Sequence, residues 1–361
     1  MIERDIWFSL LKISESTKAA LLSKLGSTEE VWKYSRDSGW LLSGDKSELK
    51  VKAKISGSPD DREIESVTKT FFKNGIGLLC CNDPLFPERL KQFKDCPAVL
   101  FFKGNPAELN SRKTAALVGS RNCTSYGRSA ASAIARDLCR SGIGVISGLA
   151  RGIDGASHRS ALANGGYTCG VLGCGLDIVY PRENGSLYSE MFAKGCVLTE
   201  FLPGTRPAPY NFPRRNRLIS GLSDVVIVVE AGEKSGSLIT AALAMDQNKS
   251  VFAVPGSIFS DRSSGTNQLI RDGVQIYTDL DDLKVCLSLE SHLRADICSV
   301  FSSELHSRIF DVLSEKPMHI DEIINITHID IKQLYELLFE LQLDNRILCL
   351  TGNYYIRAAN D

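Results

Sequence analysis

Residues Val225–Val229 read VVIVV, five apolar side chains without interruption. A strand with one face in water alternates apolar and polar residues. An unbroken β-branched run belongs instead at the centre of a sheet covered on both faces. Six further short runs have strand character, at Ala115–Val118, Gly144–Ile146, Thr168–Leu172, Val197–Thr199, Val251–Val254 and Gln275–Tyr277. Helical stretches separate most of them, for example Arg128–Arg140, Ser157–Ala163 and Ser237–Gln247. Strands alternating with helices predict an α/β fold with a doubly wound, mostly parallel sheet.

The two ends differ from this middle. Ile6, Leu10, Leu11, Leu21, Leu22 and Leu25 recur at helical spacing, Gly26 stops one helix, and Ser27-Thr28-Glu29-Glu30 starts another. Residues 1–65 are therefore expected to form a small all-α domain, either a helix–hairpin–helix that contacts DNA backbone or a packing module. The polar segment Ile55–Glu63 marks its boundary. Residues 66–285 form the sheet domain. In residues 300–361 a helix through Ile309, Val312 and Leu313 is broken at Lys316-Pro317. Helices at Asp321–Ile326 and Ile331–Leu343 follow, then strands at Arg346–Leu350 and Tyr354–Arg357 around the turn Thr351-Gly352-Asn353. Three helices and a hairpin outline a winged helix.

Charge is balanced overall, 42 Lys and Arg against 43 Asp and Glu, so any affinity for nucleic acid must reside in a local patch. Residues 111–170 supply one, with eight basic residues against two acidic. Residues 279–361 carry seven basic and fifteen acidic residues, and Glu336 and Glu340 oppose only Lys332 on the recognition helix. That module is expected to meet protein, not DNA. The 11 cysteines include no C-x-x-C pair, which reads as reduced thiols of a cytoplasmic protein. No apolar run approaches the ~18 residues of a membrane span. The N-terminus MIERDIWFSLLKI has no signal-peptide core. No metal-ligand cluster, cofactor fingerprint or nucleophile elbow is present, so binding is expected and catalysis is not.

Five turns follow the strands. Gly119-Ser120-Arg121 runs into an alanine-rich helix, where glycine, free amides and a guanidinium suit a phosphate, although an ordinary βα turn has the same outline. Gly148–Gly155 holds three glycines in a tight loop with Asp154, and His158 behind it reads as structural. Gly173–Asp177 leads to Arg182, either a phosphate ligand or a solvated loop arginine. Phe212-Pro213-Arg214-Arg215-Asn216-Arg217 combines charge and aromatic surface suited to a single strand, with a salt-bridged helix start as the alternative. Lys234-Ser235-Gly236-Ser237 opens a helix without Walker spacing. In a doubly wound sheet such loops gather along the carboxyl edge, where they suit a run of phosphates better than one nucleotide.

The ordered set ALVGSRNCTSYG, VISGLARGIDGASHRSAL, VLGCGLDIVYPREN, NFPRRNRLISGLSDVVIVVEAGEKSGSLITAA and VFAVPGSI, with the C-terminal HIDEI and GNYYIR segments, resembles the DNA processing protein A (DprA/Smf) family over nearly the whole chain. The resemblance implies an extended Rossmann core between a SAM-like or helix–hairpin–helix domain and a winged helix. It also implies a homodimer that binds single-stranded DNA, protects incoming DNA and loads the recombinase RecA in natural transformation. The family's phosphate site falls on Gly119, Ser120 and Arg121, its basic turn position on Arg182, its FPxRNR element on Phe212, Arg215, Asn216 and Arg217, and its KSGS loop on Lys234–Ser237. Ser157 and Val274 stand where alanine is usual, away from any charged contact. An alternative is a nucleotide phosphoribohydrolase of the lysine-decarboxylase-like (LOG) kind, but the loop EAGEKSGSLIT lacks that group's glycine pair and glutamate.

Overall fold

The computed structural model describes residues 2–36, 51, 54–55, 59–287, 304–314, 317–343, 347–350 and 352–357. The chain divides into two compact units, Met1–Leu289 and Glu290–Asp361.

The first unit is built on a nine-stranded sheet: β1 (Gly77–Cys80), β2 (Val99–Gly104), β3 (Thr114–Gly119), β4 (Gly144–Ser147), β5 (Thr168–Val171), β6 (Cys196–Thr199), β7 (Val225–Glu230), β8 (Ser250–Ala253) and β9 (Gln275–Ile276). Their order is β1-β2-β6-β5-β4-β3-β7-β8-β9. From β6 to β9 all neighbours are parallel, and β1 and β2 add antiparallel at one edge. The chain winds from β3 out to β6, then returns to place β7 on the other side of β3. The loops leaving β3 and β7 therefore diverge, which opens a crevice at the carboxyl edge.

The unbroken apolar runs follow from burial on two sides. Ala115, Leu117, Val225, Ile227 and Val229 face Ile134 and Leu138 of the Ser125–Arg140 helix. Ala116, Val118, Val226 and Val228 face Leu218 and Ile219 of the Asn211–Gly221 helix and Ala241 and Ala244 of the Gly236–Asp246 helix. The antiparallel pair β1–β2 is not expected from the sequence. Its strands are separated by turns and by the single helical turn Glu88–Lys91, so no alternation with a long helix announces them.

Helices Ile2–Leu10, Glu15–Leu25, Thr28–Arg36 and Asp61–Asn74 precede the sheet. Gly26 ends the second in a left-handed conformation, its N–H bonded to the Leu22 carbonyl at 2.8 Å. Ile6, Phe8, Leu22 and Phe71 share one apolar cluster with Val99, Phe101, Leu187 and Tyr188 of the sheet layer, as a packing module would. Residues 56–58 of the expected boundary lie outside the described residues. Among the described residues no helix is long and apolar enough to cross a membrane.

The second unit is a winged helix. Helices Glu304–Val312, Ile320–Thr327 and Ile331–Leu343 pack with a three-stranded antiparallel sheet of β10 (Met318–His319), β11 (Ile347–Leu350) and β12 (Tyr354–Arg357). Its core joins Ile309, Leu313, Ile323, Leu334, Leu338 and Tyr355. Of the features expected from sequence, Lys316, Arg346 and Thr351 lie outside the described residues.

Ile227 has no exposed surface. Ile227→Ala is expected to destabilise the sheet-bearing unit by about 2–5 kcal/mol, because the cavity it leaves between two helical layers cannot collapse. A lowered urea midpoint in circular dichroism checks this, and an unchanged midpoint would contradict two-sided burial.

Candidate nucleic-acid interface

A cavity of about 950 Å3 opens at the β3–β7 switch point. Its walls come from Gly119, Ser120, Arg121 and Asn122 after β3, Ala150 and Asp154 after β4, and Tyr180 after β5. Phe212, Arg215 and Asn216 on the Asn211–Gly221 helix, Gly232–Ser237 after β7, and Asp261 and Arg262 after β8 also line it, with Pro207 and Pro209 after β6. Loops distant in sequence thus meet along one edge of the sheet.

Two buried acidic side chains hold the loops in place. Glu230, the last residue of β7, is buried and accepts from the Thr124 amide at 3.0 Å and from the Thr124 hydroxyl. Its backbone carbonyl accepts from Ser120 N at 2.7 Å. Glu230 thus sits against the N-cap of the Ser125–Arg140 helix, where the Thr124 hydroxyl accepts from Gly127 N at 3.1 Å. Asp154, also buried, accepts from the amides of Gly148 at 3.1 Å and Ala150 at 3.3 Å. Burial raises the Asp154 carboxyl above its usual range, opposed by the neighbouring Arg215. The loop needs glycine at two points. Gly152 has φ +74°, and a Cβ there would meet the Arg121 carbonyl oxygen at 2.7 Å. One on Gly148 would meet Asp154 Oδ2 at 2.6 Å and Arg215 Nη2 at 2.7 Å.

The expected site residues separate into two groups. Arg121 and Lys234 are exposed at the cavity wall, and Arg182 is exposed in the turn after Tyr180. Among the described residues no carboxylate pairs with any of the three. Arg121 lies over the Phe212 ring at 4.9 Å, and Phe212 meets Tyr180 at 5.7 Å with a 35° tilt, so the cation covers one ring of an aromatic pair. Ser235 caps the Gly236–Asp246 helix, its hydroxyl accepting from Ser237 N at 3.4 Å and sharing a 2.7 Å hydrogen bond with the Ser237 hydroxyl, and Lys234 stands beside this helix start on the cavity wall.

The other three arginines are corrections. Arg215 is buried and donates to the carbonyls of Gly148, at 2.8 Å, and Val171. It ties the ends of β4 and β5 to the helix, so its guanidinium is already engaged by protein carbonyls. Arg217 lies outside the cavity lining, donating to Glu200 and, at 2.6 Å, to the Asp95 carbonyl. Arg214 shares Glu200 at 3.1 Å, although half its side chain is in solvent. Asn216 donates to the Gly236 carbonyl at 3.3 Å and positions the Lys234–Ser237 turn. A signal for this is present in the sequence: Asn211, Arg215, Leu218, Ile219 and Leu222 follow helical spacing, which puts Arg215 on the buried stripe. Glu230 and Glu200, which hold the framework, escape sequence reasoning because an acid at a strand end reads as a surface charge.

His158 is structural, as its isolation indicates. It is fully buried, with Nδ1 2.6 Å from Thr168 Oγ1, and burial pushes its pKa down to about 3, with Arg159 and Arg215 adding to the effect. On the second unit, the recognition helix Ile331–Leu343 exposes Ile331, Tyr335 and Phe339 beside Glu336 and Glu340.

Known proteins share this architecture. Residues 77–288 match the family described as DNA recombination-mediator protein A, and residues 301–353 match the DprA winged helix domain. The DNA processing protein DprA of Bacillus subtilis is 41% identical over 221 residues, covering 61% of this chain and 74% of that protein. The X-ray structure of DNA processing protein A from Streptococcus pneumoniae is 34% identical with a TM-score of 0.60, over 77% of this chain and 100% of that one. The DNA processing protein A structure from Helicobacter pylori, described as giving insight into a unique single-stranded DNA binding mode, is 31% identical with a TM-score of 0.54, over 59% of this chain and 95% of that one.

Two outcomes test the division of roles. Arg217→Ala should lower stability by about 1–3 kcal/mol, since it leaves buried Glu200 short of a partner, while oligonucleotide affinity stays near the parent's. Urea titration and fluorescence anisotropy read the two effects, and weaker binding at unchanged stability would reverse the assignment. His158 has a folded pKa well below its ordinary 6.5. Its contribution to stability is complete above about pH 6.5 and is lost as pH falls toward 3, at up to about 1.4 kcal/mol per pH unit. His158→Gln should flatten the urea midpoint against pH in that window, and a slope identical to the parent's would refute the assignment.

Proposed function

This chain belongs to the DNA recombination-mediator protein A family, and from that premise we propose that it binds single-stranded DNA, shields incoming strands and loads RecA onto them during natural transformation. The observation that carries the reading is the switch-point cavity, where, among the described residues, no carboxylate pairs with Arg121 or Lys234 beside the Phe212–Tyr180 ring pair. Cations attract the sugar-phosphate chain whatever its sequence, and rings accept any unpaired base. The likeness to the H. pylori protein, described by its single-stranded DNA binding mode, supports the same ligand.

The role is that of a mediator and not a catalyst. Asp154, the buried carboxylate on the cavity wall, is engaged by two amides and faces Arg215. It is therefore not free to act as the general base that a nucleotide hydrolase needs. A homodimer is supported by β9, an edge strand with both residues exposed and Ile276 among the large apolar side chains in solvent. Such an edge is ready to pair with another chain. RecA is a protein partner of the kind that the acidic, apolar recognition helix suits. The work of such a mediator lies in the cytoplasm, where incoming strands meet the chromosome.

Arg121→Ala and Lys234→Ala should each weaken binding to a dT oligonucleotide. Each should also reduce the slope of log affinity against log salt by about 0.7 for every phosphate no longer neutralised. Anisotropy titrations at several salt concentrations measure both. If both variants match the parent throughout, the cavity is not where DNA binds.

A further inference from the structure

The loop after β8 carries two large apolar side chains almost wholly in water: Ile258 is 85% exposed and Phe259 93%. Single apolar residues on a surface are common, but two in succession on a rigid loop beside a cavity are not explained by folding. This loop is firmly held. The Tyr126 hydroxyl donates to the Pro255 carbonyl at 2.8 Å, and the Asn267 side chain brackets Gly256, accepting from its N–H at 3.1 Å and donating to its carbonyl at 3.0 Å. Ser260 N and Ser263 N close successive turns on Ser257 and Ser260. Arg262 donates to the Asn122 carbonyl, in the turn after Arg121. Asp261 and Arg262 themselves line the cavity, so Phe259 stands two residues from its wall.

Resting on the single-strand reading above, we infer that Ile258 and Phe259 form a lip at the β8 side of the cavity on which an unpaired nucleobase stacks. The surface beside it does not compete for the backbone alone. Asp261 and Glu233 are exposed carboxylates on the cavity wall with the exposed cations Arg262 and Lys234 next to them, so charge there is balanced and the uncharged Ile258–Phe259 pair offers phosphate nothing. Arg121 attracts the backbone on the remaining wall. A strand crossing the cavity thus turns its bases toward the lip. Because the loop is already fixed, little ordering accompanies binding, and the flat Phe259 ring suits any base.

The test titrates the full chain and its Phe259→Ala variant against a dT oligonucleotide and an abasic oligomer with the same number of phosphates. A residue so exposed can be truncated without unfolding the loop. The variant should bind dT about five- to hundredfold more weakly, the range for removal of one stacked base. It should keep the parent's salt slope and the parent's affinity for the abasic strand, and Phe259→Trp should restore dT binding. Equal weakening on both oligomers would overturn the inference, since Phe259 would then serve the backbone and not a base. Unchanged dT affinity would also overturn it, and a lowered sedimentation mass in the same variant would reassign the lip to an interface between copies. Arg121→Ala run alongside separates the layers. If it weakens dT binding while Phe259→Ala does not, only the lip fails; if neither does, the cavity reading fails as well.

Discussion

A single buried guanidinium holds together the edge of the sheet on which the binding surface stands. Arg215 reaches from the Asn211–Gly221 helix to carbonyls at the ends of β4 and β5, with Asp154 close against it. Glu230 does the same for β3 and β7 through Ser120 and Thr124. Charges removed from water in this way are costly unless hydrogen-bonded on all sides. Here their partners are backbone groups of loops that lack regular structure and could not otherwise satisfy themselves. The framework groups point inward and are hydrogen-bonded, while Arg121, Arg182, Lys234 and Arg262 point outward, and among the described residues no carboxylate pairs with them.

This division explains how a chain with balanced charge can present a surface for a polyanion. The basic excess in residues 111–170 is local, and the acidic excess after residue 279 belongs mainly to the other unit. Pinned loops also matter for affinity. A surface ordered before its ligand arrives gives up little conformational entropy on binding, so modest interactions with phosphates and rings suffice.

Much of this is legible from the residues. The unbroken Val225–Val229 run marks the central strand, and the glycine-rich turns after β3, β4 and β7 mark the edge, because both patterns follow from local geometry. The antiparallel pair β1–β2 is not legible, since two four- to six-residue strands among turns have no distinguishing period. The Arg214–Arg217 cluster misleads for a different reason. Charge density along a sequence does not say which side of a helix is buried, and only the spacing of Asn211, Leu218 and Ile219 with Arg215 carries that information. Glu200 and Glu230 can be assigned only once the loops they hold are in place.

The most direct measurement is photocrosslinking of a 5-iodouracil-substituted single strand to the full chain, with the joined peptides identified by mass spectrometry. The account predicts crosslinks concentrated on the aromatic residues of the carboxyl edge, Tyr180 and Phe212 foremost. Crosslinks confined to the winged-helix unit, or to the opposite edge of the sheet, where Arg89 pairs with Asp224 at 2.9 Å beside Thr114 at the start of β3, would contradict it.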